Sequence, residues 1–302
     1  MQNIAVVHLV RRQNGLAPLE RFLNSYRTHS AGVPHDLAFI FKGFSSSSDL
    51  EPYDRILTDL PHRRQFISDW GYDLRPYFET VKQLKYDYFF FLNSFSRILA
   101  PNWLALLANW AQRKGVGIAG ATGSCESFAT NSRLRKEMLR RMSFLERTAW
   151  RARYVRRAPA LGTGLLRAVA WLLGDLKIWD PIYFFPFFPN YHIRTNAFMA
   201  SREVLLRLKV SPVLTKLSAY LVESGRNSVT SQVMRAGLRA IVVGQDGQGF
   251  EPESWHKSNT FRQGHQENLL VSDNQTEAYA QAGPAVREEL SRLTWGEHSR
   301  PA

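Results

Sequence analysis

A single cysteine, Cys125, stands in 302 residues. That excludes an internal disulfide and fits a reducing compartment. Acid is also scarce: 26 Asp and Glu face 39 Lys and Arg, for a formal net charge of +13 and a pI near 10.1. Such an excess points to a polyanionic partner, whether nucleic acid, an anionic membrane surface or a phosphorylated substrate. No uninterrupted apolar run reaches the roughly 18 residues of a membrane-spanning helix. The opening MQNIAVVHLVRR puts its apolar run ahead of its charges, the reverse of a signal peptide. There is no internal repeat, and no helix-turn-helix, zinc-finger or RNA-recognition signature. From these absences we expect a cytoplasmic protein, peripheral at the inner face of the membrane, with nucleic acid the least favoured partner.

What is present is an ordinary folded composition, 44% apolar and 22% charged, in a chain long enough for a large core. Short apolar runs at 4–10, 35–41, 55–60, 116–121, 191–201 and 240–243 read as strands. Helical spacing recurs at 16–26, 101–113, 202–208 and 286–293, a turn at 68–76 enters a helix through about 82, 221–237 reads as a loop and a helix, and the Ser-rich stretch 43–49 reads as a flexible loop. Strand and helix alternate, so the expected fold class is α/β, a mostly parallel sheet flanked by helices. We expect one domain over 1–302.

The stretch 86–99, YDYFFFLNSFSRIL, stands out. Its aromatic run fits a strand buried on both faces, and it ends in a polar cluster, Asn93, Ser94 and Ser96. In an open α/β sheet that edge is where ligands are held. A turn after a strand would use the same residues.

The alternation breaks at 133–190. Within it, 133–157 carries ten Lys and Arg, Arg133 the first and Arg157 the last, against two acids, which puts +8 of the chain's +13 in that stretch. Leu134, Met138, Met142 and Leu145 give it an apolar helical face, and aromatics crowd 179–188. A solvated helix followed by a core helix accounts for this pattern. So does a helix lying in an anionic interface, Arg on phosphates and Trp, Leu and Phe in the acyl boundary. A nucleic-acid surface, with aromatics stacking on bases, is the third reading.

Taken in order, Trp70-Gly71-Tyr72-Asp73 with Pro76-Tyr77, then 86–104, 191–201 and 223–237, resemble nucleotide-sugar glycosyltransferases of the GT-A fold. Bacterial family-2-like and rhamnan-synthesis-type enzymes are the nearest in pattern. The resemblance implies a GT-A-like (Rossmann-like) fold and transfer of a sugar from a nucleotide-diphosphate donor. The basic, aromatic insert points to a lipid-linked, lipopolysaccharide or polysaccharide acceptor, since it would hold the enzyme where such acceptors lie. The resemblance also implies donor contacts at Asp73, Asn93, Ser94 and Ser96, a base at Glu223, and an acceptor side carrying Asn196 and Arg194. Acids in a helix's first turn are favourable on dipole grounds alone, which serves equally for Asp73 and Glu223. The family usually holds Mg2+ or Mn2+ on an Asp-x-Asp at the end of the central strand. This chain has Asn93-Ser94-Phe95-Ser96 there, without a carboxylate. Arg97, Lys257 and Arg194 are cations that could clamp a diphosphate instead. His256 is the candidate metal ligand, with a plain surface histidine as its alternative. The segment 260–276, with His265, Glu267, Asp273 and Asn274, either closes over the donor as a lid or wraps the sheet. A non-catalytic glycan- or nucleotide-binding member of the same fold is the rival function.

Overall fold

The computed structural model describes residues 2–70, 74–131, 184–210, 213 and 216–299. The segment 133–183 and Asp73, both singled out above, therefore lie outside the described residues.

The first half is strand β1 (Ile4–Arg11), helix α1 (Ala17–Thr28), β2 (Asp36–Lys42), α2 (Ser47–Leu57), β3 (Arg63–Ile67), α3 (Leu74–Gln83) and β4 (Tyr88–Leu92). It continues with β5 (Arg97–Ile98), α4 (Trp103–Ala111), β6 (Val116–Gly120) and β7 (Gly123–Ser124). After the undescribed segment come β8 (His192–Ile193), β9 (Ala197–Ser201), α5 (Arg202–Arg207), α6 (Lys216–Ser224), α7 (Val229–Arg235) and β10 (Arg239–Val243). The last elements are β11 (Gly249–Phe250), a 3-10 turn (Pro252–Lys257), β12 (Val271–Ser272), α8 (Asn274–Gln281) and α9 (Pro284–Trp295).

Eight strands form one sheet in the order β11-β10-β6-β9-β4-β1-β2-β3. β1 to β4, β6 and β10 run parallel, while β9 and β11 run against them. The α/β class expected from the sequence, a mostly parallel sheet with flanking helices, is the observed one. Two small ladders, β5 with β12 and β7 with β8, tie late segments back to the sheet.

The aromatic run of β4 explains why helices cover both faces. Side chains alternate along a strand, so Phe90 and Leu92 join the core cluster built by α1, α2 and α4, with Phe90 against Trp103. Phe89 and Phe91 join the opposite cluster, where Phe91 stacks on Tyr77 of α3 at 4.5 Å.

Four local expectations are corrected. Residues 55–60 are not a strand. The Ser-rich stretch ahead of them is a flexible loop only as far as Ser46, which accepts a bond from the Asp49 N–H and caps α2 through Leu57. The third strand is the polar edge segment RRQFI, Arg63–Ile67. The single strand at 191–201 is two, β8 and β9, broken at 194–196. Of the loop and helix expected over 221–237, the loop starts only after Ser224, because 216–224 is helical, and the helix is α7.

Candidate functional site

The chain builds β1, β2 and β3 outward on one side, then returns to place β4 on the other side of β1. The strand order reverses there, and the crevice outside the carboxyl ends at such a reversal is where open α/β sheets hold ligands. β9 is antiparallel and lies between β4 and β6, so its leading residues arrive at this same edge.

There 93–96 and 194–196 meet. The Asn93 N–H donates to the Asn196 carbonyl at 3.0 Å. The Ser96 hydroxyl lies 2.9 Å from that carbonyl and 3.1 Å from Asn93 Oδ1. Asn93 Oδ1 also accepts the Phe95 N–H at 2.9 Å, an Asx turn closed by its own side chain. Ser94, Ser96 and Asn196 are all buried. Asn196 Oδ1 accepts the Thr122 hydroxyl at 2.8 Å, and its buried Nδ2 has no hydrogen-bond partner among the described residues. A buried donor in that state is costly unless something else meets it.

Glu223 reaches the same place from the last turn of α6. Its Oε1 accepts both the backbone N–H and the hydroxyl of Thr195, each at 3.0 Å. Near it His192 is buried; burial lowers its pKa, while the negative charge of Glu223 acts in the opposite sense.

Arg194 is committed elsewhere. It donates to Asp273 Oδ2 at 2.7 Å, both side chains being almost wholly buried, and its guanidinium lies 4.1 Å from the Phe261 ring centre. Asp273 in turn caps α8 with its other oxygen. The segment proposed as a lid is thus joined to the sheet edge through this pair and through β12 on β5. Arg97, on β5, is half exposed with Glu277 at 3.8 Å. His256 and Lys257 belong to the 3-10 turn that packs on β10 and β11 through the buried Trp255. The His256 ring stacks on His298 at 4.2 Å.

Sequence reasoning passed over a second polar group on this edge. Arg11 and Lys42 are register partners at the ends of β1 and β2. Asp69, two residues past β3, takes Arg11 at 3.2 Å, Lys42 at 3.3 Å and the Gln13 amide at 3.0 Å. Burial pushes the Asp69 carboxyl up, but the bonds and charges of Arg11 and Lys42 outweigh it and hold the group below the usual carboxylate range. Gly43 permits the approach. Its φ is +81°, and a Cβ there would stand 2.9 Å from Asp69 Cβ. A lysine closing a buried strand immediately before glycine was the available signal.

The described residues of the Asn93–Ser96 turn do not fit a divalent cation. Mg2+ and Mn2+ want hard, charged oxygens, and here the amide oxygen is used twice inside the turn. Among the described residues no three His, Cys, Asp or Glu are grouped to hold a metal.

No protein-family model matches the chain, and no curated protein matches it. Among solved structures it is similar to the mannosyltransferase PcManGT from Pyrobaculum calidifontis, in complex with GDP-Man and Mn2+, at 13% identity and a TM-score of 0.45. The similarity spans 96% of this chain and 69% of that one. It is also similar to glucosyl-3-phosphoglycerate synthase from Mycobacterium tuberculosis with Mn2+, UDP and glucosyl-3-phosphoglycerate (15%, TM-score 0.38, 73% and 64% of the two chains). A third is S. aureus TarS 1-349 with UDP-GlcNAc (15%, TM-score 0.31), where 39% of this chain matches 33% of that one. These are glycosyltransferases of the GT-A type, and the likeness is one of fold; it lends no residue role to this chain.

Proposed function

We propose that the protein is a glycosyltransferase that moves a sugar from a nucleotide-diphosphate donor to a hydroxyl of a lipid-linked or polysaccharide acceptor. The observation that carries this reading is the meeting of Asn93, Ser96, Asn196, Thr195 and Glu223 at one carboxyl edge, from three separate stretches of sequence. In this reading Glu223 removes the acceptor hydroxyl proton, the acceptor oxygen bonds to the anomeric carbon, and the nucleoside diphosphate leaves with the bonding pair. Thr195 fixes the carboxylate through Oε1, which leaves Oε2 as the proton acceptor. Ser94, Ser96 and the unmet Nδ2 of Asn196 are the polar groups offered to the donor. Asp73 keeps its place as a donor contact on the resemblance alone, and the acceptor class rests on the basic segment 133–157.

The test is a panel of nucleotide sugars, assayed for donor consumption and transfer. Glu223→Gln keeps an oxygen for both Thr195 bonds and removes the base. It is expected to leave thermal stability unchanged while cutting turnover by about 10²–10⁴-fold. If no donor is consumed or shifts the melting temperature, the enzyme reading is wrong. One observation favours a non-catalytic binding protein instead: Asn93 Oδ1 is committed to its own turn. Donor binding without consumption is the outcome that reading expects.

A further inference from the structure

We propose that the acceptor's saccharide is held in a pocket between the 127–131 turn and the end of α9, with Phe188 as its apolar wall and Arg292 and Glu297 as its charged hydrogen-bonding groups. The inference rests on the glycosyltransferase reading and names where, and by what chemistry, the acceptor is gripped.

The pocket has a volume of about 480 Å3, and Ser127, Thr130, Phe188, Arg292, Gly296 and Glu297 are among the residues that line it. Small-molecule sites run to roughly 300–1,000 Å3. Hydrogen bonds fix the walls. The Ser127 hydroxyl accepts the N–H groups of Ala129 and Thr130 at 3.1 and 3.3 Å and donates to the Pro186 carbonyl. Thr130 Oγ1 accepts the Phe188 N–H at 2.9 Å, so the turn itself places the aromatic ring. Gly296 lies against that ring from the other side: a Cβ there would stand 2.8 Å from Phe188 Cζ. Arg262 clamps the two walls together, reaching Glu126 at 2.8 Å and the Thr294 hydroxyl at 3.3 Å. A cavity held in this way is ready for a ligand without first being ordered.

The charges decide the ligand's class. Arg292 and Glu297 are exposed, and neither has a hydrogen-bond or ion-pair partner among the described residues. They do not pair with each other either. A phosphate or diphosphate would be attracted by the first and repelled by the second. A hydroxyl both donates and accepts, so a neutral polyol satisfies both, through hydrogen bonds of the stronger, charge-assisted kind. The half-buried Phe188 offers an apolar surface to the C–H face of a sugar ring. The position suits an acceptor. Ser127 follows Glu126, whose carbonyl accepts Asn190 Nδ2 at 3.2 Å. The same nitrogen donates to the carbonyl of Ser224, the residue after Glu223, at 2.8 Å. With successive Cα atoms about 3.8 Å apart, the pocket wall and Glu223 are separated by on the order of 10 Å. A short saccharide seated in the pocket can therefore present a terminal hydroxyl to that carboxylate.

The experiment is saturation-transfer NMR and calorimetry of the full chain, without nucleotide. The probes are neutral tri- and tetrasaccharides of glucose, mannose, galactose, rhamnose or N-acetylglucosamine, with inorganic phosphate and glucose 1-phosphate as anionic comparisons. At least one neutral oligosaccharide should bind at millimolar concentration, and more tightly than either anion. Arg292→Ala and Glu297→Ala should each weaken that binding about fivefold or more, the scale of a lost hydrogen bond to a charged group. Both positions are exposed, so circular dichroism should show the fold intact. Arg207→Ala, at an exposed arginine on α5, should leave the binding unchanged. In a transfer assay the two pocket variants should raise the acceptor KM by the same factor with kcat little altered. Donor consumption together with no oligosaccharide binding overturns the proposal and leaves the glycosyltransferase reading standing. Preferential binding of either anion, or oligosaccharide binding that survives both variants, also overturns it. Oligosaccharide binding that both variants weaken, with no donor bound or consumed, overturns the glycosyltransferase reading and with it the acceptor role, leaving a glycan-binding pocket.

Discussion

His8 occupies the middle of β1, fully buried, with its ring stacked on Phe22 at 4.0 Å and edge-on to Phe39. Neither ring nitrogen has a hydrogen-bond partner among the described residues, and burial pulls its pKa down to about 3. The unfolded chain takes up this proton near pH 6.5, whereas the folded chain does so only near 3. Between those values the unfolded state holds the extra proton, so stability falls with falling pH by roughly 1.4 kcal/mol per unit from this residue alone. His8→Leu should flatten the acid limb of the stability curve by one proton, read from urea melts between pH 6.5 and 4. An unchanged slope would mean that His8 is solvated. Cys125 is similarly inert: burial pushes its thiol up to about 12, so thiolate is scarce at any working pH. Iodoacetamide at pH 8 should label it only after denaturation, and stoichiometric labelling of native protein would contradict this.

Individual elements divide into those that apolar patterning reveals and those that need tertiary information. β1, β2, β4, β6 and β10 are runs with almost no alternation, as expected of strands covered on both faces, and their positions follow from the sequence. α2 carried its own signal, with Leu50, Tyr53 and Leu57 at helical spacing after a capping serine, but Pro52 and the serine run masked it. Ser46→Ala should therefore cost about 0.5–2 kcal/mol in a urea melt. β3 was illegible because it is an edge strand whose Arg63, Arg64 and Gln65 have no core pattern. The site shows the same division. Asn93, Ser96, Asn196 and Glu223 were named because a buried strand and a resemblance pointed at them. Arg11, Lys42 and Asp69 lie on three different strand ends and become neighbours only through the parallel register. The Arg194–Asp273 pair likewise joins residues 79 apart. Arg194→Met leaves Asp273 buried without its counter-ion and should cost about 3–5 kcal/mol. The double variant with Asp273→Asn should recover part of that loss, and strict additivity of the two would show that the pair is not coupled.

At the scale of the whole molecule, charge is the dominant property. None of the described helices is long and apolar enough to cross a membrane. The membrane attachment expected from the sequence is electrostatic, through the Lys and Arg of 133–157. Replacing those ten residues with Gln should abolish co-sedimentation with vesicles containing phosphatidylserine at low salt, while leaving nucleotide binding intact. Equal sedimentation of the two proteins would remove the membrane assignment, and salt-sensitive binding to DNA or RNA in preference to vesicles would favour a nucleic-acid surface.

The placement of β9 also has a consequence for synthesis. β4 and β6 both wait for it: it alone bridges them, and it is separated from β6 by the whole 121–196 interval. The β3-β2-β1-β4 half of the sheet can assemble as it leaves the ribosome, but the Phe89–Phe91 strand then stands as a bare edge until β9 emerges. At about 5–20 residues per second, that exposure lasts for several seconds of translation. A nascent chain stalled between β6 and β9 should accordingly be the most aggregation-prone length of this protein, and a ribosome-bound series of truncations should show chaperone recruitment peaking there.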